Sequence, residues 1–478
     1  MIICTLLIVI TIPSVNSLNN NAINPIVPDS SACTRANWTQ IQKLLASDSA
    51  SFNDFGYSVS LNGDTALIGA YGRDDYKGSA YVFTRTGNTW TQQAELNASD
   101  GAADDYFGFS VSLSGDTALI GAQEDDDNGA NSGSAYVFTC TGTTWTQQAK
   151  LLASDGASYD TFGYTVSLYG DTALIGADGT DYMKGSAYVY TRTGTTWTQQ
   201  AELNASDGAG NDVFGFSVSL SGDTAFIGAY YDDDAKGSAY VFTRTGNTWT
   251  QQTKLLASDG VANEWFGYSV SLSGDTALIG TPWDADNGLH SGSTYVFTRT
   301  GTTWTQQAKL LASDGAELDA FGVSVSLSGD TALIGVPRDD NIKGSAYVYT
   351  RIGTTWTQQA KLLALDGAEW DAFGVSVCFS DDTVLIGAYG DDVNGEYSGS
   401  AYVFIRENQP PIADFSWTPQ NPIPNQQITF DASAQATIPM ELSSHTRGTG
   451  TMMASMKKTI PHPPQHIHGL KQAPILSP

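Results

Sequence analysis

Phe162-Gly163-Tyr164-Thr165-Val166-Ser167-Leu168-Tyr169-Gly170-Asp171-Thr172-Ala173-Leu174-Ile175-Gly176-Ala177 decides the fold, because most of the chain is copies of it. Phe-Gly recurs at Phe55, Phe107, Phe162, Phe214, Phe266, Phe321 and Phe373, in steps of 52 or 55 residues. Trp-Thr-Gln keeps the same step from Trp38 through Trp90, Trp145, Trp197, Trp249 and Trp304 to Trp356. A Gly-Ser-Ala/Thr-Tyr-Val segment, as at Gly185, falls once between each pair. A period near fifty residues, repeated seven times, is the mark of a propeller or a solenoid.

Each copy offers four short strands. In the third, Val and Leu alternate with Thr and Ser over Gly163 to Leu168, and Gly170-Asp171 supplies a two-residue turn. Thr172 to Ala177, Ser186 to Thr191 and Trp197 to Leu203 follow as strands. The middle two lack a polar face, as expected of a sheet covered on both sides. The pattern predicts an all-β, seven-bladed β-propeller of four-stranded antiparallel blades over residues 38–406. No atypical capping repeat speaks for a solenoid, and no 3.6-residue period speaks for helices. The phase predicts how the ring closes. The copies begin on a fourth strand at Trp38 and end on a third at Arg406, so the N-terminal strand should complete the last blade.

Fifty acidic against 22 basic residues give a net charge of −28. Such a chain does not seek nucleic acid or anionic lipid by electrostatics; cations and cationic surfaces suit it better. The apolar run Ile2 to Ile12, followed by Val15-Asn16-Ser17, has the form of a secretory signal over 1–17, with a polar leader over 18–37. No Lys or Arg precedes the run. Cys4 lies in that signal, which leaves Cys33, Cys140 and Cys378, too scattered for a disulfide framework or a metal site. The mature chain is expected to be secreted or held at the extracellular cell surface, monomeric and without a membrane span.

Phe-Gly followed by Gly-Ala, or by Gly335-Val336-Pro337 and Gly280-Thr281-Pro282, resembles the FG-GAP repeat of integrin α-subunit propellers. The short form here is more similar to FG-GAP proteins of bacterial and archaeal exteriors. The resemblance covers all seven copies. It departs from integrins where those carry an Asp-x-Asp-x-Asp-Gly calcium loop between the Phe-Gly and Gly-Ala-Pro strands. Here that connection is Ser-Gly-Asp-Thr or its equivalent, so the integrin calcium site does not carry over.

After Arg406 the composition changes. Asn408-Gln409-Pro410-Pro411-Ile412-Ala413-Asp414-Phe415-Ser416-Trp417 and Ile428-Thr429-Phe430-Asp431-Ala432-Ser433 resemble the opening of a PKD domain, over 407–434. The tail over 435–478 keeps no strand pattern and is rich in Met, His, Pro and Lys. Read from the third base of each codon, Ile438-Pro439-Met440-Glu441 permits Pro-Asp-Gly, a motif of such domains. The expectation is a frameshifted, disordered tail, and a gene reading intact across homologous strains would argue against it. Within such a tail His462, His466 and His468 are not read as a metal site.

In a four-stranded meander, the 1–2 and 3–4 turns lie on one rim and the 2–3 and 4–1 connections on the other. That sorting places 35 of the 50 acids on the second rim, with six Lys or Arg among them. Arg85, Arg192, Arg244, Arg299 and Arg351 fall on the first. The expectation is a ring strongly polar from face to face. Calcium, which takes hard oxygen ligands in flexible geometry, is the cofactor this implies. The sites are the three longer 2–3 loops: Asp125, Asp127 and Asn128; Asp284, Asp286 and Asn287; Asp391, Asp392 and Asn394. The other reading of these residues is ordinary turn chemistry.

Aromatic residues stud the same rim, and Tyr231, Trp283, Tyr71 and Tyr389 are the candidate ligand-binding residues, for a glycan or a surface protein. Catalysis has little support. Only His290 lies in the propeller, and Glu264 and Glu369 are the carboxylates an enzyme would use. The sequence therefore points to a non-enzymatic propeller for adhesion or recognition. The alternatives are an extracellular glycosidase or lyase on the same scaffold and a purely structural surface module.

Overall fold

The computed structural model describes residues 37–407 and three short strands, Val9–Ile10, Ser416–Thr418 and Ile428–Asp431. The chain divides into two units, residues 24–409 and the two ends, 1–23 with 410–478. In the second unit Ile428–Asp431 pairs antiparallel with Ser416–Thr418 and with Val9–Ile10. The remainder of the signal, leader, PKD and tail expectations lies outside the described residues.

The first unit is a ring of seven four-stranded antiparallel sheets, numbered here as blades 1 to 7 by their Phe-Gly pairs at Phe55 through Phe373. Blade 3 runs Thr165–Tyr169, Thr172–Ala177, Ser186–Thr193, Thr196–Leu203, each strand beside the next in sequence. The first strands neighbour one another around the axis, so they are innermost. Blade 7 is assembled from both ends: Val377–Ser380, Thr383–Ala388 and Ser400–Arg406 are completed by Trp38–Leu44, in register Trp38↔Arg406 through Leu44↔Ala401. The ring closes as its repeat phase predicts.

The core is seven interblade layers. Leu119, Ala135, Val137 and Leu151 of blade 2 pack on Phe162, Ala173, Ile175, Tyr188 and Trp197 of blade 3. The layer at the closure joins Leu44, Leu385 and Val403 to Phe55, Ile68 and Tyr81. A sheet buried on both faces needs apolar residues at successive positions, which is why Ala173-Leu174-Ile175 shows no alternation.

In blade 3 the first strand starts at Thr165 and not at the expected Gly163, although in blade 2 it opens on Phe107 itself. Phe162 bridges to Gly133 of blade 2, its N–H donating to Ser132 O at 3.0 Å, and its ring meets Tyr188 edge-on at 5.4 Å. Gly163 holds φ +96°, and a Cβ there would stand 2.2 Å from Ser134 O. The pair is therefore a clasp between blades that only glycine permits. At the outer edge each fourth strand carries a bulge, as between Gln147 and Ala149, which frees Gln148 to accept the Trp197 indole N–H of the next blade at 2.9 Å. Ile41 occupies that bulge in blade 7, and the buried Trp90 indole nitrogen is left without a partner.

Candidate functional site

The 2–3 loop of each blade meets the 4–1 connection that leads into the next blade. Asn131 O accepts from Thr161 N at 3.1 Å, and Tyr76 O accepts from Tyr106 N at 2.8 Å. The acidic sequences thus share one rim. The four shorter 2–3 loops each contain a left-handed turn, as at Asp74, Asp75 and Tyr76 with φ +52°, +55° and +62°.

Five lysines of the fourth strands enter this rim. Lys150 Nζ lies 2.9, 2.9 and 2.6 Å from Asp100, Asp125 and Asp127; Lys309 Nζ lies 2.9, 2.7 and 2.7 Å from Asp259, Asp284 and Asp286. Lys43 reaches Asp366 and Asp391, Lys254 reaches Asp207 and Asp232, and Lys361 reaches Asp314 and Asp339. Each ammonium also sits over a third-strand tyrosine ring, 5.1 to 5.3 Å from its centroid. Burial pulls the Lys150 and Lys309 ammonium groups down, but their carboxylate partners hold them above the usual lysine range. Asp100 and Asp259 are pushed up by burial and carried below the usual carboxylate range by hydrogen bonds from those same lysines and tyrosines.

The loops expected to hold calcium are the ones these lysines fill. Asp125 and Asp284 are buried, each accepting from the backbone N–H two residues on, at 3.2 and 3.0 Å. Asn128 and Asn287 turn their amides to the Ala153 and Ala312 carbonyls, both at 3.2 Å. In blade 7 Asp391 accepts from Val393 N, Asp392 from Tyr397 N, and Asn394 donates its N–H to Ser398 Oγ. Among the described residues no group of three His, Cys, Asp or Glu has a metal-holding arrangement, and where three aspartates do meet, an ammonium, Lys150 or Lys309, is the cation between them. Turn hydrogen bonds and an ammonium engage these side chains except that of Asn394, a residue held by its backbone N–H, and in each loop the lysine stands against the carboxylates that calcium would need.

The opposite rim is not the positive face its arginines suggest. Arg192 lies on Asp171 at 2.5 Å and stacks on Trp197 at 5.3 Å; Arg85, Arg244, Arg299 and Arg351 repeat the arrangement with Asp64, Asp223, Asp275 and Asp330. Cys140 replaces the arginine in blade 2. Eight Asp in the 1–2 turns face six Arg, so the rim is close to neutral.

The residues after Phe-Gly form an arc that sequence reading passed over. Tyr57, Phe109, Tyr164, Phe216 and Tyr268 follow one another around the axis with ring centroids 4.9 to 5.2 Å apart, and Val323 and Val375 take the same place in blades 6 and 7. The four predicted ligand residues attach to this arc in two groups. Tyr71 and Tyr389 lie 4.7 and 5.7 Å from Tyr57. Tyr231, 44% exposed, meets Tyr230, and Trp283 is stacked between Trp265 at 3.6 Å and His290 at 4.2 Å. Burial pushes Asp54, Asp178 and Asp371 on the same rim up to about 6, against the pull of hydrogen bonds from Tyr71, Thr161 and the Ala368 N–H.

Glu264 and Glu369 lie in the connections into blades 5 and 7, with the connection into blade 6 between them. Glu264 accepts from Val261 N at 2.8 Å, the task that Asp105, Asp160, Asp212, Asp319 and Asp371 perform in their own connections. Glu369 and the 60%-exposed Trp370 border an open depression of about 360 Å³ with Gly390, Asp392, Glu396 and Tyr397.

A closed ring of seven four-stranded blades, with one rim of short turns and one variable, acidic and aromatic rim, is a seven-bladed β-propeller. The chain belongs to the FG-GAP repeat family, whose repeat matches residues 38–83, 90–138, 145–190, 197–242, 249–297, 304–349 and 356–404. No curated protein matches the chain. Each matched segment begins on the fourth strand of one blade and ends on the third strand of the next, so every repeat joins two blades.

Proposed function

We propose that this propeller is a non-enzymatic recognition module at the cell exterior, engaging a glycan or a surface protein through the aromatic arc of its acidic rim. The observation that carries this is the continuity of the arc from Tyr389 through Tyr57, Phe109, Tyr164 and Phe216 to Tyr268, with Trp283 and Tyr231 at its outer edge. Flat aromatic faces beside carboxylates suit sugar rings and cationic protein surfaces alike. The family is one of scaffolds, and the chemistry must come from the rim. Glu264 serves its own turn and stands a connection away from Glu369, which favours binding over a glycosidase or lyase.

The cation that the acidic loops require is, on this reading, the lysine of the fourth strand in place of calcium. The test is an array of glycans and surface proteins probed with the wild-type chain and with Tyr231→Ala, Trp283→Ala and Tyr71→Ala. Loss of about tenfold or more in affinity at Trp283 or Tyr231 is expected. A ligand whose affinity is unchanged in all three variants, or turnover of a polysaccharide, would defeat the proposal.

A further inference from the structure

We infer that blade 3 carries an open binding site for a guanidinium group, such as an arginine side chain of a partner, framed by Tyr188, Asp155 and Glu202. The other six blades show what the site should contain. In blades 2, 4, 5, 6 and 7 a fourth-strand lysine meets a 2–3 loop aspartate beneath the third-strand tyrosine. Blade 1 exchanges the signs: Glu95 replaces the lysine, and Arg73 replaces the loop aspartate. Arg73 donates to Asp48 and to the Tyr81 hydroxyl, and lies 3.3 Å from Glu95.

Blade 3 has the acceptors of blade 1 without its cation. Glu202 stands where Glu95 does and accepts from Ser186 Oγ at 3.0 Å and Asn204 Nδ2 at 2.9 Å, as Glu95 accepts from Ser79 and Asn97. Asp155 occupies the place of Asp48. The residue equivalent to Arg73 is Thr180, whose hydroxyl donates back to Ala177 O at 3.1 Å. The loop's own Lys184 extends toward Gly208 in the next connection. Among the described residues neither Asp155 nor Glu202 has an ion-pair partner.

The independent sign of a missing ligand is Tyr188. It is fully buried, and its hydroxyl has no hydrogen-bond partner. The other six tyrosines at this position all hydrogen-bond to the aspartate equivalent to Asp155. Burial raises the Tyr188 hydroxyl and the nearby Glu202 and Asp155 charges raise it further; Asp155 makes only a loose contact with it, short of the hydrogen-bond geometry that its six counterparts hold. A buried polar atom in this state is costly and rarely left alone. Asp155 and Glu202 are exposed, so a guest can reach from solvent the two carboxylates beside the buried hydroxyl. A planar fork of donors fits a hydroxyl and two carboxylates from different elements, as Arg73 demonstrates, and the described residues hold no three-carboxylate metal cluster.

This inference does not depend on what the aromatic arc binds. Its test is a titration of the full chain, with carbon-labelled tyrosine, by acetyl-Gly-Arg-Gly-amide at physiological ionic strength. The Tyr188 resonance is assigned through Tyr188→Phe, and the peptide with citrulline for arginine is the neutral control. Saturable movement of the Tyr188 signal by the arginine peptide alone is expected, about tenfold weaker in Glu202→Gln. Thr180→Arg should fill the site from within, raise the melting temperature and abolish the response. Arg73→Thr should make Tyr81 respond as Tyr188 does. A response to citrulline, a response that survives Thr180→Arg, or saturation by calcium or sodium in place of the arginine peptide would each overturn the assignment.

Discussion

At one rim the chain reverses through two residues, Gly170-Asp171 or an equivalent, in all seven blades. At the other it runs through 2–3 loops of two lengths, and no two blades share a loop sequence. The two rims also place charge differently. The turn-rim pairs are Arg–Asp contacts whose aspartates are about two-thirds exposed, as with Asp171 and Asp223. The loop-rim pairs set lysine against aspartates that are almost wholly buried, as with Asp125 and Asp284. Uniformity marks what any ring of this kind requires, and variation marks where different partners can be met. The contrast also predicts which charges the fold depends on.

The largest effect should come from breaking a loop-rim pair. Lys309→Met leaves Asp284 buried without its cation, and a loss of about 3 kcal/mol in urea denaturation is expected. Adding Asp284→Asn should recover part of that loss, because the uncompensated charge is removed along with its partner. If Lys309→Met costs no more than an exposed surface pair, the two rims are energetically alike and the comparison fails.

Acidity should separate the rims next. Asp54, Asp178 and Asp371 have folded-state values raised to about 6, so their ionisation opposes folding. What they contribute is greatest below the unfolded value near 3.9 and is lost as pH rises through 6. Acidification from about pH 7 to about pH 5 should therefore stabilise the chain by about 1 kcal/mol per carboxyl. Asp100, Asp207, Asp259, Asp314 and Asp366 have the opposite sign: their depressed values add stability above about 3.9, and it is lost as pH falls below that. Melting temperature should peak between about pH 4 and pH 6. A melting temperature that falls steadily from neutral pH would show the three raised carboxyls to be of no weight.

The turn rim should yield less. Arg192→Met removes the exposed pair with Asp171, the guanidinium's stack on Trp197 and its hydrogen bond to Thr117 Oγ1, for about 1 kcal/mol in all, well below the loop-rim loss. Blade 2 already lacks this arginine, with Cys140 in its place.

These contrasts show what could be read from residues alone. The 52- or 55-residue step and its phase were enough for the blades and for closure by Trp38–Leu44, because strand patterning and repeat number are local properties. The clasp at Phe162-Gly163 was missed as such, since a backbone approach from the neighbouring blade leaves only a glycine behind in the sequence. The lysines were missed for a different reason. In Thr-Trp-Thr-Gln-Gln-Ala-Lys-Leu the lysine looks like one member of a solvated edge, and only the tertiary fold turns it into the loop. A signal was nevertheless present. Aligning the seven copies pairs Lys150 with Asp125, Lys309 with Asp284, Glu95 with Arg73 and Glu202 with Thr180, a reciprocal exchange of charge that independent surface residues have no cause to show. The arc from Tyr57 to Tyr268 was hidden because each member follows Phe-Gly singly, and their meeting requires the ring.

The smallest expected effect is the most exacting for the loop rim. Thirty-five acidic residues crowd its connections, so added salt should stabilise the protein by screening, over a length of roughly 10 Å at 0.1 M. A specific calcium site would add coordination to that screening. In blades 2, 5 and 7, however, an ammonium lies within hydrogen-bonding distance of the carboxylates calcium would need. For calcium to enter, the lysine must leave a buried aspartate and be resolvated, and the aspartate must give up its tyrosine contact, as Asp125 would with Tyr136. Calcium chloride and sodium chloride matched for ionic strength should therefore raise the melting temperature equally. In Lys309→Met the obstacle is gone, and an excess stabilisation by calcium should emerge at Asp284 and Asp286. A calcium excess already present in the wild-type chain, and abolished by Asp284→Asn with Asp286→Asn, would show that the lysine yields to the metal and that the long loops are calcium sites after all.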